Sequence, residues 1–294
     1  MNQLKLKQKM QEFFIEDIGD GDATNEHLFQ STDITEGEFL LKQDGVLAGI
    51  SCIEAGYKLL NPNIEVETLQ KDGEFLQKGA VLAKVKGPVK DLLTGERVIL
   101  NLLQHMSGIA TTTKQAVNAL DSTHTRVCDT RKTLPGLRMF EKYAVTCGGG
   151  YNHRVGLYDG VMLKDNHIAY AGSITNAVQM IRSRIGHMIK IEVETESMEQ
   201  VLKAVEAGAD VIMFDNCTPQ QAQEYATVVP KPIITEISGG ITPYNIASYR
   251  ETNVDYISLG YLTQSARALD ISFNLKESIK YNHNAVVCET INNK

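Results

Sequence analysis

The chain has 294 residues, 43% of them hydrophobic and 22% charged, with a formal net charge of −7. That is enough chain to bury one large core or two smaller ones. The acidic balance argues against general nucleic-acid or membrane-surface binding, and no apolar run approaches the ~18 residues that a spanning helix needs.

The opening segment, MNQLKLKQKMQEFFIEDIGDGD, alternates charged and apolar residues at helical spacing and lacks the apolar core of a signal peptide. From about residue 39 to 93 the pattern predicts short strands broken at Gly37, Asp44-Gly45, Asp72-Gly73, Lys78-Gly79 and Gly87-Pro88. The cadence of KDGEFLQKGAVLAKVKG is that of small sandwiches that carry biotin or lipoate. No Lys stands at a hairpin tip beside Met, however, so a structural sheet is expected. From Thr94 to about Leu120, apolar residues at Val98, Leu102, Met106 and Ile109 are spaced by four or three, which predicts a long helix linking two domains.

Beyond it the chain alternates apolar β-branched runs at 126–129, 161–163, 189–193, 211–214, 233–237 and 256–259 with helical stretches at 173–184, 197–207, 219–228 and 243–250. Strand–helix units of this length imply a parallel sheet. Their even succession, with no dinucleotide fingerprint, favours a closed β/α barrel over an open doubly wound sheet.

These strands end on Arg131-Lys132, Lys164, Glu194, Asp215, Ser238-Gly239-Gly240 and Gly260. In β/α barrels that rim builds the active site, and the last two loops, here ISGGITP and SLGYLTQS, commonly bind phosphate. Thr242-Pro243 reads as an N-cap with Pro at the first helical position, which would aim the preceding amides at an anion. The stretch 126–167 also carries Arg126, Arg131, Lys132, Arg138, Lys142, Arg154 and Lys164 against Asp129, Glu141, Asp159 and Asp165. A local positive excess in an acidic chain calls for anions to neutralise it, and Arg forks suit carboxylates and phosphates. A pocket for a small polyanion is expected. Cys52, Cys128, Cys147, Cys217 and Cys288 include no C-x-x-C pair, so neither a disulfide framework nor a zinc site is expected, and a reducing cytoplasm fits.

The segments EDIGDGDAT, GERVILNLLQHMSGIAT, DTRKTLPGLRMFEKYAVTCGGGYNHRVGLYDGVMLKDNH, IEVET, ADVIMFDN, ISGG and SLGYLTQSARALDIS, in this order, resemble the quinolinate phosphoribosyltransferase family nearly end to end. The resemblance implies an α/β chain in two parts. An N-terminal open-faced sandwich over residues 1–110 would be closed by the tail 270–294, and an incomplete, seven-stranded β/α barrel would span 111–269. It further implies transfer of the phosphoribosyl group of phosphoribosyl pyrophosphate to quinolinate, with loss of CO2, to give nicotinate mononucleotide and pyrophosphate in NAD biosynthesis. Mg2+ would be the cofactor, and a cytoplasmic homodimer would carry Arg97 of each subunit into its neighbour's site.

By position, the resemblance implies that Arg131, Lys132, His153, Arg154 and Lys164 line the quinolinate pocket. Glu194 and Asp215 would hold Mg2+ and the ribose hydroxyls, and Ser238, Gly239, Gly240 and Gly260 would cradle phosphate. Lys132, Lys164, Glu194 and Asp215 would be the catalytic groups, working by positioning and electrostatics. Gln264 stands where many members have His, and it donates a hydrogen bond without carrying charge. Lys164 alone would also suit a Schiff-base aldolase, and the basic pocket alone a non-catalytic oxyanion binder or a nicotinate-specific transferase. Glu194 and Asp215 favour the enzyme. The combined supply of Arg131, Arg154 and Arg97 favours a dicarboxylate.

Overall fold

The computed structural model describes residues 1–276; residues 277–294, part of the tail assigned to the N-terminal sandwich, lie outside the described residues. The first helix, α1 (Gln3–Ile18), starts where the Asn2 side chain accepts the amides of Leu4 and Lys5, and it buries Leu6, Met10 and Phe14 at four-residue spacing. A short α2 (Asn25–Leu28) precedes β1 (Ile34–Leu41), β2 (Gly45–Val46), α3 (Ser51–Leu60), β3 (Glu65–Thr68), β4 (Phe75–Leu76) and β5 (Val81–Pro88).

The helix α3 corrects the all-strand expectation for residues 39–93. It buries Cys52, Ile53, Ala55, Gly56 and Tyr57. A Cβ at Gly56 would meet Ile99 Cδ1 and Met10 Cε, each at 2.9 Å, so this glycine lets α3 approach α1 and the next helix closely. That helix, α4 (Val89–Leu120), has 32 residues and starts directly after Pro88, five residues before the Thr94 start that the periodicity indicates.

Past α4 the chain forms β6 (Arg126–Cys128), α5 (Arg138–Cys147), β7 (Val161–Leu163), α6 (Asp165–Ala171), α7 (Ile174–Arg182), β8 (Ile191–Thr195), α8 (Met198–Glu206), β9 (Val211–Asp215), α9 (Pro219–Val228), β10 (Ile234–Ser238), β11 (Tyr256–Ser258), α10 (Tyr261–Gln264) and β12 (Ile271–Leu275). Strands β6 to β11 make one parallel sheet in the order β6-β11-β10-β9-β8-β7. Cys128, Val161, Glu192, Val211, Glu236 and Tyr256, one from each strand, line a single cavity of about 250 Å³. Side chains from all six strands meet around one space only if the sheet curls about it. Of a seventh strand the described residues hold one parallel bridge, Tyr151 to Cys128, on the free edge of β6.

Side-chain hydroxyls of Ser173, Ser197 and Thr218 accept amides of the first turns of α7, α8 and α9, which explains their sharp starts. The helix expected over 243–250 is instead a 3₁₀ turn, Ile246–Tyr249. The reason is local: Asn245 Oδ1 accepts the Thr242 amide at 2.7 Å, and its Nδ2 donates to the Gly240 carbonyl at 3.0 Å, so the segment closes on itself. The expected helix N-terminus behind the Gly pair is therefore absent. The last described strand, β12, returns to the N-terminal part and pairs antiparallel with β1, giving the sheet order β12-β1-β5-β3.

Candidate active site

A second cavity, about 580 Å³, opens above the first at the carboxyl ends of the parallel strands. Arg131 and Lys132 reach it from the loop after β6, His153 and Arg154 from just beyond the Tyr151 bridge, and Lys164 from the end of β7. Glu194 of β8, Asp215 of β9 and Ser238, Gly239 and Gly240 after β10 complete the rim. Ten of the thirteen expected site residues thus share one space. Gly260 lies against Lys132 instead: a Cβ there would be 3.0 Å from Lys132 Cδ and 3.7 Å from Gln264 Oε1, which puts Gly260 and Gln264 beside the cavity. Arg97 is on α4, with its side chain 63% exposed and nearest Glu96 at 4.0 Å, outside the lining of its own chain's cavity.

The acidic side is built from neighbouring strands. Lys164 Nζ donates to Glu194 Oε2. Burial, then the Glu194 charge, pushes the Asp215 carboxyl above its usual range, the mark of two acids crowded into one place. Asn216, in the left-handed region at φ 51, donates Nδ2 to Asp215 Oδ2 at 2.8 Å, and its amide donates to the Ser238 carbonyl at 2.8 Å. Gly239 and Gly240 have φ of 89 and 69, values that favour glycine.

The basic side is thinner than a count of charges suggests. Arg126 stacks over the Tyr151 ring at 4.8 Å, at the far end of β6 from the rim. Arg138 donates to Thr133 Oγ1 at 2.9 Å and to the Val155 carbonyl at 3.3 Å. Lys142 is buried, donating to Asp129 Oδ1 at 2.5 Å and to the His153 carbonyl at 2.9 Å. That leaves Arg131, Lys132, Arg154 and Lys164 on the cavity. Burial, then the Arg131 charge, lowers the Arg154 pKa, so the two guanidinium groups feel each other across the same space. Two cations held that way are waiting for an anion.

Four supporting acids were not anticipated from sequence. Asp129, fully buried, accepts from Lys142, from Asn152 Nδ2 at 2.7 Å and from the His153 amide at 2.8 Å. Burial raises its carboxyl against the pull of Lys142. Glu141, also fully buried, bonds His105 Nε2 at 2.8 Å and the Leu134 amide at 3.1 Å, tying the Arg131–Lys132 loop to α4 and α5. Glu192 and Glu236 project into the sheet interior, their oxygens 3.0 and 3.6 Å from His153 Nε2. Burial, then Glu192, pushes the Glu236 carboxyl well above its ordinary range. For His153, burial opposes the charged ring, but Glu192 and Glu236 outweigh it and raise the pKa. A signal for both acids existed: Glu192 is two residues from Glu194, and Glu236 two from Ser238, so each pair shares a strand face.

Residues 22–107 match the N-terminal domain model of quinolinate phosphoribosyl transferase, and residues 109–274 match its C-terminal domain model. The chain is 52% identical over 275 residues, 94% of its length and 95% of the relative's, to a probable carboxylating nicotinate-nucleotide pyrophosphorylase of Bacillus subtilis. It is 37% identical to a decarboxylating quinolinate phosphoribosyltransferase of Nicotiana glauca, over 92% of this chain and 82% of that one. The crystal structure of NadC from Streptococcus pyogenes superposes with a TM-score of 0.91 at 38% identity, covering 94% of this chain and 98% of the other.

Proposed function

The chain belongs to the quinolinate phosphoribosyltransferase family, and from that premise we propose that it joins quinolinate to the phosphoribosyl group of phosphoribosyl pyrophosphate, releasing pyrophosphate and CO2 and leaving nicotinate mononucleotide. The observation that carries this reading is the division of one cavity into two sides. Arg131, Lys132 and Arg154 stand on one, and the crowded pair Glu194 and Asp215 on the other, with Lys164 paired to Glu194.

Quinolinate is a dianion, and each carboxylate suits a guanidinium fork, such a charge-assisted bond contributing about 1.5–3 kcal/mol. Fixing both carboxylates orients the pyridine nitrogen toward the sugar carbon that loses pyrophosphate, so Arg131 and Arg154 supply alignment. Lys132 and Lys164 offset the charge that gathers on the leaving oxygens. Glu194 and Asp215 suit the sugar, whose anomeric carbon becomes positive as the bond breaks. Once alkylated, the cationic ring nitrogen stabilises the electron pair left on the adjacent ring carbon when its bond to the carboxylate breaks, so CO2 leaves without an organic cofactor and that carbon takes up a proton from water.

Glu194 and Asp215 also fit Mg2+. They are hard oxygen donors, two in number, and burial and the Glu194 charge raise the Asp215 carboxyl, an effect that a cation between the two acids would offset. A bound Mg2+ would neutralise pyrophosphate oxygens. Lys164 held by Glu194 is an ammonium in an ion pair, which disfavours a Schiff-base nucleophile. The exposed Arg97 suits the shared-site homodimer, in which each subunit's Arg97 would serve the other's cavity. Mixing purified protein with quinolinate, phosphoribosyl pyrophosphate and Mg2+ tests the reading: nicotinate mononucleotide and CO2 are expected, and absence of both would overturn it.

A further inference from the structure

His153 sits between the two cavities, with its side chain 12% exposed, and both ring nitrogens are engaged by the protein. Nδ1 lies 2.8 Å from the Arg154 amide, which donates to it. A ring nitrogen that accepts an N–H carries no proton, so the ring's own proton is on Nε2, facing Glu192 Oε2 at 3.0 Å. Behind this contact Ser258 Oγ donates to Glu236 Oε1, which stands 3.6 Å from the same Nε2. Glu192 is 5% exposed, and its Oε1 has no hydrogen-bond partner among the described residues. A buried carboxylate left half-satisfied is costly, and packing alone does not account for one in the middle of a strand.

We infer that Glu192 and Glu236 are positioning residues for Arg154: they hold His153 as its Nε2–H tautomer, so that Nδ1 fixes the Arg154 backbone at the mouth of the substrate cavity. The far end of Arg154 is fixed as well, because its Nη1 donates to the Gly160 carbonyl at 2.9 Å. Its Nη2 meets only the weak acceptor Met162 Sδ, at 3.8 Å, so an arginine anchored at backbone and guanidinium keeps donors that a carboxylate can take in preference. The groups that face His153 agree with a ring held in one orientation. Asp129, just after β6, accepts its amide, Lys142 of α5 donates to its carbonyl, and Glu192 of β8 and Glu236 of β10 take its Nε2 side. The carboxylates also draw the ring toward a second proton. That proton would have to enter at Nδ1 and expel the Arg154 amide, so the bond and the imidazolium exclude each other. The same three side chains offer donor atoms within 4.8 Å of one another, as a cation site would. A cation needs the Nε2 lone pair, however, and the Arg154 bond leaves a proton there.

The inference rests on the reading that Arg154 holds a substrate carboxylate, and its test separates the two. Nitrogen-15 histidine spectra of the wild-type protein at about pH 8, with His153 identified by its loss in His153→Asn, should show Nε2 protonated and Nδ1 bare. A doubly protonated ring, or a proton on Nδ1, overturns the inference, as does a shift of this resonance by equimolar Zn2+ that Glu192→Gln abolishes. Glu192→Gln keeps an acceptor for Nε2–H and should preserve the tautomer and the KM for quinolinate. Glu192→Leu should raise that KM about tenfold, the scale of one displaced charge-assisted bond, while the KM for phosphoribosyl pyrophosphate stays within about twofold. Equal rises in both constants, or none in either, count against positioning. If Arg154→Ala leaves the quinolinate KM unchanged while the tautomer stands as described, it is the substrate reading of Arg154 that fails.

Discussion

Gly239 and Asn216 lie so close that a Cβ on the glycine would stand 2.2 Å from the asparagine Oδ1. Asn216 is committed there, since it bonds both Asp215 and the Ser238 carbonyl. The glycine also has φ 89, where an L side chain is strained by roughly 1–2 kcal/mol. Gly239→Ala should therefore push Asn216 aside and disturb Asp215 with it. The expected result is a KM for phosphoribosyl pyrophosphate raised at least ~5-fold, with quinolinate affinity near wild type. Steady-state kinetics with each substrate varied in turn will check this, and an unchanged KM would mean the loop does not serve that substrate.

Arg131→Ala and Arg154→Ala should each weaken quinolinate binding by roughly tenfold to a hundredfold, the range for losing one charge-assisted pair, while the fold persists. Titration calorimetry decides it. Arg138→Ala is the internal control. It is as basic in sequence, but its donors go to Thr133 and Val155, so any loss should appear first in thermal stability.

Substituting Glu194→Gln and Asp215→Asn keeps shape and removes charge. Turnover should fall at least ~10-fold in each, about 1.4 kcal/mol in the transition state, with quinolinate still bound. The dependence on added Mg2+ should shift to higher concentration in both. Wild-type turnover with saturating substrates and Mg2+ would remove these carboxylates from the reaction.

The strand ends of the parallel sheet were legible because each strand is a short apolar run that stops at a polar group, and because Ser173, Ser197 and Thr218 announce the following helices. The helix α3 was not. Gly56 inside it looks like a breaker until Ile99 and Met10 are seen to need that space. Thr242-Pro243 has the form of a helix start, yet the side chain of Asn245 takes the bonds that a helix would have made. Counting charges found the basic cavity but could not separate Arg131 and Arg154, which face it, from Lys142, which neutralises buried Asp129. Glu192 and Glu236 escaped notice because an acid within an apolar strand is read first as an outward-facing residue. Only the period of two shared with Glu194 and Ser238 points them inward.

Arg97 lies outside the lining of its own chain's cavity, and its side chain is exposed. If it serves a second subunit, an Arg97→Ala chain and a Lys164→Ala chain, each inactive alone, should regain activity when mixed and reassociated, because one of the two sites in a heterodimer is then intact. Differently tagged chains make heterodimer formation measurable. Heterodimers that form and stay inactive would place Arg97 outside the reaction.

Glu236 offers a prediction about pH. Burial, then Glu192, raises its carboxyl in the folded protein from the ordinary 4.5 to about 8. Below the ordinary value both folded and unfolded chains hold the proton, and the group costs nothing. Between the two values the unfolded chain releases the proton while the folded chain keeps it, so stability falls as pH rises through that window, by at most about 1.4 kcal/mol per pH unit for one group. Glu236→Gln preserves an acceptor for Ser258 and removes the titration. The variant should therefore gain on wild type as pH is raised from about 5 to about 8, in urea unfolding followed at both ends of the window. A stability difference that is the same at both pH values would show that Glu236 ionises as an ordinary carboxylate.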